Sequence, residues 1–267
     1  MGDRDLQPFD VDRRFSGLER IYGVEGAKAI RDAHVVVVGL GGVGSWAAEA
    51  LARSGVNNLS LIDMDHVSES NINRQIQANS QTLGMAKIMA MKERIALINP
   101  QCQVHSIDAF VDTENFQSLL ASDVGAVIDA CDQVSAKTAM AQWAKTHLVH
   151  FISVGAAGGK RQTHCIDIAD LSAVTHDPLL AQVRYRLRKH HGAPKEGKKI
   201  GVACVFSTEP VMPPDASCDL QSDGSLNCHG YGSLVTVTAS FGMSAAGWVI
   251  DEIYKQSKRQ LKNNAII

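Results

Sequence analysis

The stretch AHVVVVGLGGVGSWAAEALARSGV, residues 33–56, constrains the fold of this chain more than any other. An unbroken apolar run, a turn of closely spaced glycines and a helix that keeps Ala and Leu on its buried side read as the opening of a βαβ unit. In GLGGVG, Gly39 allows the tight turn, Gly41 lets the backbone approach a phosphate and Gly44 lets the helix pack on the strand, with Gly42 in the same turn. The helix N-terminus then offers free N–H groups and a partial positive charge to an anion.

The alternation continues. NLSLIDMD reads as the second strand, TLGMAKIMAMKERIALINP (82–100) as a helix ended by Pro100, and QVHSIDAFV as another strand. VGAVIDACDQ is a strand ending at Asp129 and Asp132, followed by a helix over 134–147 and a strand over 148–154. This spacing predicts an α/β fold: a Rossmann-like, doubly wound, mainly parallel sheet with ligands at the carboxyl ends of its strands. Residues 14–170 form the nucleotide-binding domain in this reading. Residues 171–267 are a C-terminal extension packed on the same domain: a basic segment (181–201), a loop rich in Gly, Ser, Asp and Cys (213–232) and a last helix.

Composition excludes several classes. The 267 residues carry a net charge of -2, so nucleic acid could be held only by a local patch. The six cysteines contain no CxxC pair, which removes the four-cysteine zinc ribbon, and scattered thiols suit a cytoplasmic protein. The N-terminus is too polar for a secretory signal. LVTVTASFGMSAAGWVI (234–250) is uncharged, yet it is short of the ~20 residues of a span and rich in small residues. It is expected to be a buried helix or a subunit contact, with membrane association disfavoured. Gly242, Ala245, Ala246 and Gly247 are expected at the interface of a homodimer.

Asp63, at the end of the second strand, is placed to bind both ribose hydroxyls, as in NAD enzymes; Asp65 comes two residues later in the same pocket. The polar residues beyond it are less usual. LIDMDHVSESNINRQ supplies Asn71, Arg74 and Gln75, and Lys87 comes on the next helix. Two cations and two amides suit a triphosphate held during attack at its α-phosphorus, whereas backbone amides usually satisfy a dinucleotide. Asp132 could hold Mg²⁺.

GLGGVGS, LIDMDHVSESNINRQ, GMAKIMAMKERIALINP and VIDACDQ together resemble the adenylating domain shared by ubiquitin-activating enzymes and bacterial activators of sulfur-carrier proteins. In that family the aspartate matching Asp63 holds ribose, the residues matching Asn71, Arg74 and Lys87 hold phosphates, and the one matching Asp132 serves magnesium. Arg74, Lys87 and Asp132 are the catalytic set this implies. The family's N-terminal arginine reaches into its partner's ATP site, a role that falls here on Arg14 or Arg20.

VGAAGGK, THDPLLAQVRYRLRK and GVACVFSTEP resemble the tRNA threonylcarbamoyladenosine dehydratase branch of this family. That resemblance implies ATP and Mg²⁺ as cofactors and a tRNA carrying threonylcarbamoyladenosine at position 37 as substrate. It implies carboxylate adenylation followed by cyclisation, and leaves open a sulfur-transfer (cysteine desulfurase) partner. The run Arg184, Arg186, Arg188, Lys189, Lys195, Lys198 and Lys199, against the single Glu196, is expected to contact tRNA phosphates; a solvated helix face is the plainer alternative.

Other readings remain. The chain could activate a ubiquitin-like sulfur carrier, which the missing zinc ribbon and the basic segment disfavour. An NAD-dependent oxidoreductase and a non-catalytic scaffold fit the ATP-site residues less well. Cys204 is the candidate reactive thiol, but its apolar neighbours are expected to keep it inert. Cys218 and Cys228 carry no assignment beyond redox sensitivity, and His190 and His191 are expected to be solvated.

Overall fold

The computed structural model describes residues 9–195, 197–215, 217 and 231–264. β1 (His34–Val38) is buried along its whole length, as a strand without polar alternation has to be. Its side chains divide by the period of two: Val35 and Val37 enter one core, Val36 and Val38 the other. Around it lie β2 (Asn58–Ile62), β3 (Gln103–Ile107), β4 (Ala126–Asp129), β5 (His150–Val154), β6 (Ile166–Asp170) and β7 (Ala203–Ser207). They form a seven-stranded sheet in the order β3-β2-β1-β4-β5-β7-β6. Neighbours run parallel except for the antiparallel pair β6 and β7.

The chain winds outward from β1 to β3 and then returns to β4, so a crevice opens above the carboxyl ends of β1 and β4. One face is covered by α1 (Val11–Asp32), α2 (Gly44–Arg53), α3 (Lys87–Ile98) and α6 (Val235–Asn264). α4 (Val134–His147) and α5 (Pro178–His190) cover the other.

Two expectations change. Residues 82–86 are not helical: α3 starts at Lys87, because the backbone before it pairs with the segment after β2. Val67 N–H donates to Met85 at 2.8 Å, Gly84 N–H to Val67 at 2.9 Å and Lys87 N–H to Asp65 at 2.9 Å. That pairing puts Lys87 in the first turn of its helix, beside the crevice. Residues on both sides of 170 contribute to one sheet, since β7 lies between β5 and β6 and shares their core.

The small-residue face of 234–250 is covered within the chain. Ala245 and Ala246 are buried in the core, and Gly242 lies so close to the Val43 carbonyl and the backbone at Ala47 that a Cβ would overlap them. Of the four residues expected at a dimer interface, only Gly247 faces open space. Here the buried-helix reading prevails over the subunit contact. No helix among the described residues is long and apolar enough to cross a membrane.

Candidate active site

The crevice is a cleft of about 610 Å³. The glycine turn forms its rim. Gly39 has φ 85°, a left-handed conformation that favours glycine, and its N–H donates to Ile62 at 2.9 Å. A Cβ on Gly44 would overlap the Gly39 carbonyl, whereas one on Gly41 would meet nothing within 4 Å, so the turn is closed behind and open towards the cleft.

Asp63 fastens this rim. Its Oδ2 accepts from Leu40 N–H at 2.6 Å and its Oδ1 from Asp65 N–H at 2.8 Å. Burial pushes its carboxyl above the usual value, opposed by the Lys87 charge and those two backbone donors. Leu40 is held on its other side too, since Gln77 Nε2 donates to the Leu40 carbonyl at 3.0 Å and to Gln75 Oε1 at 3.2 Å. Gln77 has no place in the sequence reading; a second amide two residues after Gln75 was the available signal.

The polar residues after β2 converge on the cleft. A short helical turn, Glu69–Asn71, buries Asn71, whose Oδ1 accepts from Ser68 N–H at 3.1 Å. Arg74 lies along Gly42 and donates to the Ser70 carbonyl at 2.8 Å and to Asn73 Oδ1 at 3.0 Å. Trp46 Nε1 donates to the Arg74 carbonyl at 2.9 Å. Lys87, 6% exposed, is paired with Asp65 at 2.7 Å. A lysine this buried is no solvated helix residue, and it borders the same cleft as Arg74.

The two acids at the end of β4 separate. Asp132 is exposed on the cleft wall, with no hydrogen bond among the described residues. Asp129 is fully buried and paired with buried Lys137 at 3.0 Å. Lys137 also donates to the Val154 carbonyl at 2.7 Å, and Ser153 Oγ donates to Asp129 Oδ2 at 2.6 Å, tying the ends of β4 and β5 together. Burial lowers the pKa of Lys137, but its acidic neighbours, Asp129 foremost, outweigh that and raise it. Sequence reading missed this lysine, because its spacing from Asp129 matches no motif.

A second omission is Asp177. It caps α5 by accepting from Leu180 N–H at 2.9 Å, and its other oxygen accepts from Ala156 N–H at 2.9 Å on the cleft floor. The acid-proline pair opening THDPLLAQV was a capping signal.

Other expected residues lie elsewhere. Arg14 does not border this cleft within its own chain; it donates to the Ile98 carbonyl at 2.6 Å, at the end of α3. Arg184 turns inward to the carbonyls of Leu171 (3.0 Å) and Val174 (2.8 Å), and Arg188 donates to Pro194 at 3.1 Å. Arg186, Lys189, Lys195, Lys198 and Lys199 are exposed, as are His190 and His191. Cys204 is fully buried and burial pushes its thiol far up. Cys131 borders the cleft, but its thiol donates to Asp129 Oδ1 at 3.1 Å and burial drives its pKa well up. Cys218 and Cys228 lie outside the described residues.

A doubly wound sheet with an armed cleft at its switch point defines a class of nucleotide-using enzymes. Residues 12–266 match the ThiF family model, and the chain belongs to the ThiF family. Its relatives are narrower than the family. The chain is 42% identical over 249 residues to the tRNA threonylcarbamoyladenosine dehydratase of Haemophilus influenzae, covering 92% of this chain and 95% of that protein. It is 39% identical to the Escherichia coli protein of the same name, covering 93% and 96%. Among solved structures it is similar to E. coli tRNA N6-threonylcarbamoyladenosine dehydratase in complex with ATP, at 40% identity and TM-score 0.85, covering 93% and 97%.

Proposed function

We propose that this chain catalyses the ATP-dependent cyclisation, with loss of water, of the threonylcarbamoyl group on adenosine 37 of tRNA. The observation that carries the reading is the extent of the likeness: it spans nine-tenths or more of both chains, α5 and the basic segment included, and is not confined to the nucleotide-binding half. A sulfur-carrier activator is not favoured, because the relatives matched over the whole length are named for tRNA.

In this reading ATP occupies the cleft with its phosphates over the open side of Gly41. Asp63, each oxygen accepting one backbone N–H, keeps lone pairs for the ribose hydroxyls. Asn71 has its carboxamide oxygen engaged by Ser68 and presents its NH₂ group. Arg74 is braced by Ser70 and Asn73, so its guanidinium needs little reorganisation to hold phosphate oxygens. Lys87 exchanges part of its pairing with Asp65 for the triphosphate.

Asp132 fits a magnesium ion: its carboxylate is free among the described residues, and no cluster of three His, Cys, Asp or Glu is present among them that would make an all-protein metal cage. A single carboxylate combined with substrate phosphates is the usual magnesium arrangement. When bound, the ion neutralises charge on the phosphate oxygens.

The threonyl carboxylate oxygen bonds to the α-phosphorus as the bond to pyrophosphate breaks. A nucleophilic atom of the same side chain then adds to the activated carbonyl, AMP departs with the carboxylate oxygen, and the proton passes to solvent. Because the nucleophile is tethered, effective molarity replaces any need for an enzyme thiol. That suits a chain whose Cys204 is sealed in the core and whose Cys131 is held neutral.

The proposal includes a homodimer in which Arg14 approaches the partner's cleft. Its contact moves away from α6; Ile21 and Val24 on α1 and Leu97 beside Arg14 are exposed apolar residues available to it. A sulfur-transfer partner has no support in the site and is left out.

The test is mass spectrometry of nucleosides from modified tRNA incubated with the protein, ATP and Mg²⁺. The expected product lacks one water relative to threonylcarbamoyladenosine and forms together with AMP. Unchanged nucleoside, with AMP formed only when a ubiquitin-like carrier is added, would select the carrier activator instead.

A further inference from the structure

The cleft is built from two sources. The side chains assigned to phosphates and ribose come from residues 63–87, beside the glycine turn that follows β1. At the β5 end the floor is backbone and small side chains: Gly155, Ala156 and Ala157, with Leu179 of α5 beside them. Behind this floor lies a buried lysine, Lys160, to which the functional reading gives no part.

Lys160 Nζ donates to three main-chain carbonyls: Glu209 at 2.7 Å, His176 at 3.2 Å and Ser207 at 3.4 Å. It thereby joins the loop after β5, the turn into α5 and the end of β7. Glu209 closes the same junction from its side, its carboxylate accepting from Arg161 N–H at 2.9 Å and Gln162 N–H at 2.8 Å. The turn into α5 needs a clamp. His176 is held at φ 54°, a left-handed conformation that residues other than glycine rarely adopt. The next residue, Asp177, accepts from Ala156 N–H on the floor at 2.9 Å, and a Cβ on Gly155 would overlap its carboxylate. Burial lowers the pKa of Lys160, opposed by the charges of Asp177 and Glu209. A buried ammonium carries a desolvation cost that an apolar side chain of similar length would avoid, which sets it apart from core packing.

We infer that Lys160 is a positioning residue for the reacting group of the substrate: by clamping the His176–Asp177 turn it lets Asp177 fix the Ala156 floor, on which the threonyl carboxylate is aligned with ATP. This rests on the functional reading above. Attack at the α-phosphorus requires the carboxylate oxygen at about 3–3.5 Å and in line with the bond to pyrophosphate. Arg74 and Lys87 fix the phosphorus end of that line. The other end lies where the nucleotide leaves the cleft free, on the floor at β5. Lys160 does not line the cleft and acts on it through Asp177 and Ala156. A displacement of the floor by about 1 Å costs up to about a hundredfold in rate while leaving the nucleotide side intact.

The experiment compares the parent with Lys160→Met, Asp177→Asn, the double variant and Lys145→Met. Lys145 is the control: it donates to a single carbonyl, Ile200 at 2.9 Å, at the opposite end of the sheet. Isothermal titration gives the affinity for ATP, filter binding the affinity for modified tRNA, and the cyclised nucleoside gives kcat, all well below the lowest melting midpoint. Lys160→Met is expected to lower kcat about tenfold to a hundredfold and Asp177→Asn about tenfold, with both affinities within about twofold of the parent. Because the two act through one contact, the double variant should fall no further than Lys160→Met, whereas independent effects would multiply. Lys145→Met should keep the parental kcat whatever its melting midpoint, so lost stability alone does not reproduce the pattern. Parental kcat in folded Lys160→Met, multiplying losses in the double variant, or a loss of ATP affinity equal to the loss of rate would overturn the inference. Where Lys160→Met does not fold, Asp177→Asn decides alone, and parental kcat in it has the same force. A parent that cyclises no modified tRNA would instead remove the functional reading.

Discussion

The cations around the cleft and the cations of the outer face are held in opposite ways. Arg74 and Lys87 are fixed by neighbours before any ligand arrives: Ser70 and Asn73 brace one, Asp65 the other. Arg186 and Lys189 on α5 stand in solvent. The contrast matches two kinds of work. A site that stabilises charge developing at phosphorus gains from donors already in place, whereas a surface that grips a polyanion gains from charge density and tolerates mobile side chains. Arg184 and Arg188 show that position in a basic run does not decide which kind a residue is, because both belong to the run and both are tied to backbone carbonyls.

The largest effects should come from the side chains that line the cleft. Arg74→Ala and Asp132→Asn are each expected to cut AMP formation about a hundredfold or more, roughly 3 kcal/mol, with a normal melting curve. Single-turnover AMP release measures this: a near-parental rate in Arg74→Ala would erase the distinction between the two sets of cations, and one in Asp132→Asn would remove that carboxylate from the mechanism.

Within the run, Arg184→Ala should lower stability by about 1–2 kcal/mol, since it leaves the Leu171 and Val174 carbonyls without their charged donor. Arg186→Ala should stay within about 0.5 kcal/mol of the parent. Urea denaturation of the two variants side by side tests the division, and equal midpoints would show that the inward arginine is no more structural than the outward one.

Cys204→Ala is expected to lose about 1 kcal/mol from a small buried void and to keep its single-turnover cyclisation rate. Complete loss of cyclisation in a folded variant would require a covalent thiol step.

The smallest effect concerns Asp170, which anchors the start of β7 and the end of the basic strip. Burial alone would raise its pKa, but donors from Ser172, Ile200 and Gly201 outweigh that and hold it below the usual carboxylate value. A carboxyl whose folded pKa is depressed contributes stability above its unfolded pKa and loses it as pH falls through the folded value. Asp170→Asn should therefore melt earlier than the parent at neutral pH, with the gap closing in strong acid. A gap that does not change with pH would assign Asp170 a role independent of its charge.

Strands, glycine turn and cleft were legible for a physical reason: each is a pattern among residues close in the chain. The buried run of β1, the spacing of Gly39, Gly41 and Gly44, and acids at the ends of β2 and β4 put their signal within a few residues of where it acts. Arg74 and Asp132 were readable on the same terms, each just past a strand end that the sheet carries to the crevice.

Pairings between distant segments were decided by the tertiary structure. Lys87 opens α3 because residues 65–67 pair with 84–87, and local periodicity carries no trace of that. Asp129 and Asp132 look alike in VIDACDQ, yet only the approach of α4 and β5 makes one the partner of buried Lys137 and leaves the other to the cleft. The apolar stretch 234–250 is consistent with a dimer contact until the backbone of α2 is seen to lie against Gly242. Sequence patterns determine which elements form and which side chains sit at their ends; what those side chains meet depends on contacts across the fold, where burial and hydrogen bonding assign each charge its partner.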